Sequence, residues 1–292
     1  MNVVGTLVAR NLRLFFRDRL GVFFSLLSAL ILFLLYTLFL GSTQVQDLQQ
    51  SFPGATEEQV KGFVDSWMFA GIVGITSITT GLGALNVFVE DSASGRFRDF
   101  LVSPISREKL ILGYLVSAGI IALIMTTLVL IASLAYLYLV DGVSYAPRSV
   151  AVIYGFLALS CLAFAALSAF AVSFVRTAGA YSALSTIVGT ILGFLAGAYI
   201  PVGALPEGVR TVVNALPFMQ ASVPVRQQMT ADSLEAMAGG TPGAVEDLQE
   251  VFGITASVGG REITGAFVVA VLCAMIVVFT LLAAVRIRHR IR

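Results

Sequence analysis

The stretch Leu110–Val140, LILGYLVSAGIIALIMTTLVLIASLAYLYLV, runs 31 residues without an Asp, Glu, Lys, Arg or His. A helix needs about 20 apolar residues to cross the hydrocarbon core of a bilayer. The segment is long enough, and a charge at a helix centre costs about 2.5–3.5 kcal/mol on insertion scales. Five further runs have the same character. They are Leu20 to about Gly41, the stretch between Asp65 and Glu90, that between Arg148 and Arg176, Thr177 to Ile200 ending at Pro201, and that between Glu262 and Arg286. The expected fold is therefore an all-α membrane protein of six spans, occupying residues 20–292 behind an N-terminal segment 1–19.

Composition agrees. Hydrophobic residues make up 58% of the chain and charged residues 12%, against roughly a quarter charged in ordinary globular proteins. A soluble fold of this length cannot cover its surface with so few charges. The net charge of +1 gives no reason to expect a nucleic-acid partner. Cys161 and Cys273 lie inside apolar runs and read as small packing residues, and the single histidine, His289, lies in a basic tail.

The basic residues set the expected orientation. Arg10, Arg13, Arg17 and Arg19 precede span one, and Arg96, Arg98, Arg107 and Lys109 lie between spans two and three. Arg176 lies between spans four and five, and Arg286, Arg288, Arg290 and Arg292 follow span six. These are 13 of the basic residues, and five lie on the other side. The 13-residue side is expected to be cytoplasmic, with both termini on it. Arginine outnumbers lysine heavily, as in a GC-rich bacterial genome. The apolar run of span one is too long for the core of a cleaved signal peptide, so it reads as a retained helix.

Between the spans, Val3, Val4, Leu7, Leu14 and Phe15 recur at helical spacing with Arg10, Arg13 and Arg17 among them. This predicts an amphipathic interfacial helix. It serves as a basic topogenic flank, as a surface touching a cytosolic partner, or as both. Thr56-Glu57-Glu58-Gln59 is a capping-box pattern and predicts a short outer helix to about Val64. The extended outer loop 201–262 is expected to hold re-entrant or surface-lying helices: one over 206–217, one capped by Thr230 and ending at Gly239, and one opening at Thr241-Pro242 and ending near Gly253. Span five carries Gly189, Gly193 and Gly197, a small-residue ridge that suits close helix packing within the chain or against a second copy. Thr76, Ser77, Thr79 and Thr80 of span two are candidates for a pathway wall, or else polar packing residues.

The loop between spans two and three reads Glu90-Asp91-Ser92-Ala93-Ser94-Gly95-Arg96-Phe97-Arg98-Asp99-Phe100-Leu101-Val102-Ser103-Pro104-Ile105-Ser106-Arg107 and continues to Gly113. Phe97, Phe100 and Leu101 fall at i, i+3 and i+4, so a short helix from about Ser94 to Val102 would carry an apolar face flanked by Arg96, Arg98 and Asp99. Such a face needs a cover: the lipid interface, the chain's own core, or a groove on a soluble partner. The stretch resembles the signature of ABC-2 type transporter permeases, matching at Gly95, Phe97, Leu101, Ser103, Pro104, Ser106, Arg107 and Gly113. It departs from it at Arg96, Arg98 and Tyr114. Pro201, Leu205-Pro206, Pro217 and Arg226 resemble the family's pattern after span five.

The resemblance is to bacterial exporters of the daunorubicin-resistance-permease kind. It implies a non-catalytic transport subunit in the plasma membrane whose coupling helix, with Glu90, Gly95, Arg96, Phe97, Arg98, Asp99, Phe100 and Leu101, docks on an ABC ATPase subunit. It also implies two permease chains, as a homodimer or related heterodimer amid membrane lipids, over two ATPase subunits. ATP and magnesium would then be held by the partner. The residues agree, since neither Lys61 nor Lys109 follows a glycine as a phosphate-binding loop requires. A cation-coupled carrier would be expected to place ionisable groups within the spans, and a metalloprotease needs a His-Glu-x-x-His cluster. Neither is present in the sequence. With no fixed charge in the spans, the expected cargo is apolar or amphipathic: a drug, an antibiotic peptide, a lipid or a lipid-linked glycan.

Overall fold

The computed structural model describes residues 3–97, 105–239 and 242–290, with no side-chain description at 242 and 288–290. Six helical segments among the described residues are long and apolar enough to cross a membrane, as the sequence predicts. The first is composite. α1 (Val3–Arg17) ends at Asp18, whose carboxylate accepts the Gly21 N–H at 3.0 Å and caps α2 (Arg19–Ser25). After a break at Leu26 come α3 (Leu27–Leu35), one wide π turn (Tyr36–Leu40) and α4 (Gly41–Ser51). The wide turn brings the Tyr36 carbonyl to 2.7 Å from where a Cβ at position 41 would stand, so the position needs glycine. Span one thus reaches Ser51, ten residues past the apolar run. Its polar last turns are held against span two by Leu48, which is buried in the same core as Val60 and Phe63.

Span two is α5 (Glu57–Ala84), continued after Leu85 by α6 (Asn86–Ala93). Thr56 and Gln59 form the capping box, with Gln59 Oε1 accepting the Thr56 N–H at 2.8 Å. The cap opens the span itself, not a separate outer helix, because no breaker stands between Val64 and Ala84. Span two is the centre of the molecule: 83% of its apolar window is buried, against 17% for span five. Spans three and four are α7 (Arg107–Val140) and α8 (Pro147–Val172), and span five is α9 (Ala178–Leu195). Span five stops five residues before the expected end, because Gly197 adopts φ +62° and turns the chain. Span six is α13 (Gly265–Arg290).

The segment between spans five and six departs most from expectation. α10 (Glu207–Ala215) is the short amphipathic helix foreseen over 206–217. α11 (Pro217–Ala238) is a single 22-residue helix with Thr230 buried in its middle, donating to the Arg226 carbonyl at 2.9 Å. Thr230 is therefore no cap; the helix starts on Pro217, which suits a first-turn position. α11 lies inward against spans two and four, burying Met219, Val223, Val225 and Met229. α12 (Pro242–Val251) follows, and Gly259 and Gly260, at φ +58° and +76°, turn a two-residue hairpin between β1 (Ser257–Val258) and β2 (Arg261–Glu262).

Packing divides into ends. One end gathers Phe63, Trp67, Leu137, Ile153, Met229 and Phe252. Charge reinforces it: Lys61 Nζ bonds Asp65 at 2.6 Å and also Asp141, joining spans two and three at this end. Burial pushes the Tyr145 phenol up to about 12, and its O–H donates to the Met229 carbonyl at 2.9 Å, tying the next loop to α11. The opposite end gathers Leu7, Phe15, Phe88, Leu110, Tyr114, Ala283 and Ile287. The N-terminal helix and the last turns of span six therefore share one end, the one rich in arginine.

Candidate functional site: the arginine-rich end

α1 presents Leu7, Asn11 and Phe15 at i, i+4 and i+8 to the core. It lies along the start of span three. A Cβ at Gly113 would stand 2.9 Å from Leu7 Cβ, so only glycine allows the helices to approach this closely. Asn11 Nδ2 donates to Ser117 Oγ at 3.0 Å in the same seam. Gly113→Val is expected to push α1 off its seat at a cost of about 1–3 kcal/mol. Limited trypsin digestion should then release the N-terminal segment early while the six spans stay protected.

The contact is locked by Asp91. In α6 Val87, Phe88, Val89 and Asp91 are buried, and the carboxylate, one helical turn after Val87 and Phe88, is carried inward with them. It is fully buried. Arg10 grips both its oxygens, at 2.7 and 2.9 Å; Tyr114 O–H donates at 2.6 Å and Arg96 at 3.1 Å. A forked guanidinium on a carboxylate is the strongest of the ordinary ion-pair geometries. The bond to Asp91 holds the Arg10 guanidinium above its ordinary range against the lowering effect of burial. One carboxylate thus joins α1, the base of span two, the turn that follows it and the start of span three.

That turn is Ser94–Arg96, with Gly95 at φ +77°, a left-handed cap that ends α6. The helix expected from about Ser94 starts later, since Ser94–Arg96 form the turn and the next helical residue is Phe97. Its ring packs 5.3 Å from Phe88 and 6.1 Å from Tyr114, and these two stand 5.2 Å apart edge to face. Of the three covers open to the apolar stripe, Phe97 takes the chain's own core. Arg98, Asp99, Phe100 and Leu101 lie outside the described residues. Glu90 is exposed and accepts from Asn86 Nδ2 at 2.8 Å, so the pivotal acid is its neighbour. The signal was present in the sequence: Asp91 stands four residues after Val87 and three after Phe88, on the apolar face.

The other sequence candidates are placed elsewhere. Thr76, Ser77, Thr79 and Thr80 are buried inside the chain, each bonded to a carbonyl one turn back in span two at 2.6–3.1 Å. Thr79 also reaches the Ser25 carbonyl at 3.2 Å. Ser77, with Ser160 and Ser222, borders a small void between spans two and four and α11. The three glycines make three different contacts. Gly189 receives Ser28 Oγ on its carbonyl at 3.0 Å, Gly193 lies under the Tyr199 ring, and Gly197 is past the helix end. Gly189 and Gly193 stand one turn apart on span five, and Gly197 lies beyond its end.

A family model described as ABC-2 family transporter protein matches residues 41–285, a range that includes Asp91, Arg96, Phe97 and Tyr114. No curated protein matches the chain.

Proposed function

The chain belongs to the ABC-2 family of transporter proteins, and from that premise we propose that it is the permease subunit of an ATP-driven exporter. It is a multi-pass membrane protein, and membership implies association with an ABC ATPase. The observation that carries the rest is the Asp91 junction. A docking loop coupled to membrane spans needs a rigid root, and Gly95, Arg96 and Phe97 are rooted through Asp91, Phe88 and Tyr114 in spans two and three. The following residues, with Phe100 and Leu101, are the surface on which the ATPase docks.

On this reading the arginine-rich end faces the cytoplasm of a bacterium, two permease chains stand over two ATPase subunits, and ATP and magnesium belong to the ATPase. The cargo is apolar or amphipathic. Span five, exposing Ile187, Ile191 and Phe194, suits such a cargo or a second copy of the chain.

The test is co-purification. The tagged chain, taken from its host in mild detergent, should bring a soluble ATPase with it. A parallel chain carrying Phe100→Asp should lose at least nine-tenths of that ATPase. Phe97→Asp should lose it too, with a fall in thermal stability that Phe100→Asp does not share. Absence of any ATPase from the native chain would instead favour an ATP-independent carrier or accessory protein.

A further inference from the structure

A second feature of the arginine-rich end is a cleft of about 230 Å³ between the α1–α2 elbow and the base of span two. Leu14, Phe15 and Val87 form its apolar wall, and Arg17, Asp18 and Glu90 stand around it. It is smaller than the roughly 300–1,000 Å³ of sites for drug-sized ligands, so it fits a headgroup-sized molecule and not a whole cargo. Its depth is fixed by its neighbours. Arg13 and Arg17 lie on the exposed side of the amphipathic helix before it, and Leu20, Phe23 and Phe24 are the exposed apolar side chains after it. Polar surface gives way to apolar surface across this elbow, which is the headgroup level of a bilayer.

The charges decide which headgroup. Arg17, Asp18 and Glu90 make no ion pair among the described residues. Each carboxylate has one oxygen in use, Asp18 Oδ1 on the Gly21 amide and Glu90 Oε1 on Asn86. The remaining pattern is one guanidinium, which suits a phosphate, beside two carboxylates that accept N–H donors. A phosphoglycerol headgroup would bring its negative charge to two carboxylates with no cation of its own. A choline headgroup has no N–H to give to these carboxylates. We propose that the cleft binds the phosphoethanolamine headgroup of a zwitterionic phospholipid, with its phosphate on Arg17 and its primary ammonium on Asp18 and Glu90.

This inference needs only that the chain sits in a bilayer, so it stands or falls apart from the exporter reading. The purified full chain, without any ATPase, is placed in nanodiscs of equal parts dioleoyl phosphatidylethanolamine, phosphatidylcholine and phosphatidylglycerol. The lipids it retains are then counted by native mass spectrometry. The native chain should retain the ethanolamine lipid about fivefold over either of the others, the scale of an exposed charge pair. Asp18→Asn with Glu90→Gln should bring the three to parity. Both changes are isosteric and exposed, and asparagine keeps the cap on Gly21. Equal retention by the native chain would overturn the proposal, as would a preference for phosphatidylglycerol or an ethanolamine preference that survives the double change.

Discussion

Asp91→Ala is expected to lower stability by about 2–4 kcal/mol and to abolish coupling between ATP hydrolysis and transport. The stability term follows from what the carboxylate leaves behind. Breaking a buried ion pair by removing one partner costs about 3–5 kcal/mol when both charges are enclosed. Here Arg10 keeps 30% and Arg96 55% side-chain exposure, so both can turn partly to water and the cost falls. The buried Tyr114 hydroxyl loses its acceptor as well. Thermal unfolding of the purified chain in nanodiscs reads this directly. The coupling term needs a separate readout, because an unstable permease also transports poorly. The double variant Arg10→Met with Asp91→Leu supplies it. Replacing a buried pair by apolar side chains of similar size is often neutral or stabilising, so its melting temperature should recover all but the share owed to the unpaired Tyr114 hydroxyl. The α1–span two contact would then be greasy and free to slip, with the polar grip on Arg96 and Tyr114 gone. Cargo-dependent ATP hydrolysis should stay low in the double variant despite the restored stability. Full recovery of both would show that Asp91 only holds the fold together.

The span architecture was legible because it rests on one cause, the exclusion of charge from hydrocarbon, which writes itself along the chain as uninterrupted apolar runs. Arg10 and Asp91 were not legible as partners. They are 81 residues apart, and each has an innocent local reading, one as a topogenic arginine and the other as an acid before a signature loop. Their pairing is a tertiary fact, made when α1 lies down against Gly113. Span one's reach to Ser51 was hidden for a different reason. Its last turns are polar, and hydropathy marks where lipid ends, not where hydrogen bonding does. Within the segment 201–262, the length and burial of α11 were hidden for a third. Its mixed composition looks like surface, yet α11 buries Gln220, Ser222, Arg226 and Thr230, bonding each to its own or neighbouring backbone, with the Arg226 Nε alone among their buried polar atoms left without a partner among the described residues. A polar residue with an internal partner looks in sequence like one that faces water.

Arg226 is the extreme of that case and the site of the second large effect. It is wholly buried, and no carboxylate reaches it among the described residues. Its guanidinium donates to the carbonyls of Ala196 at 2.8 Å, Gly197 at 2.7 Å and Gly253 at 3.3 Å, and lies 5.4 Å from the centre of the Trp67 ring. These carbonyls are exposed to it by the turn at Gly197, and a Cβ at 197 or at 253 would crowd its Nη1 at 3.4 or 2.9 Å. Burial pulls the group down to about 10, still above neutrality, so it remains a cation solvated by backbone dipoles and an aromatic face. One side chain therefore joins the end of span five, α11 and the turn after α12. Arg226→Met fills most of the volume and relieves the cost of burying a charge. It also strands the Ala196 and Gly197 carbonyls, each at about 1–3 kcal/mol. The stranded carbonyls should win, for a net loss of about 2–4 kcal/mol. Arg226→Lys should do little better, because one ammonium on a flexible stem cannot reproduce a planar fork spread over three carbonyls. Trp67 is the single tryptophan of the chain, and its indole N–H donates to the Phe252 carbonyl at 2.7 Å beside the guanidinium, so its fluorescence reports this junction alone. Emission should move to longer wavelength and become quenchable by iodide in both variants, with the melting temperature falling in parallel. Unchanged emission together with a normal melting temperature in Arg226→Met would mean that the carbonyls find other donors and that the arginine is not what holds α11 in place.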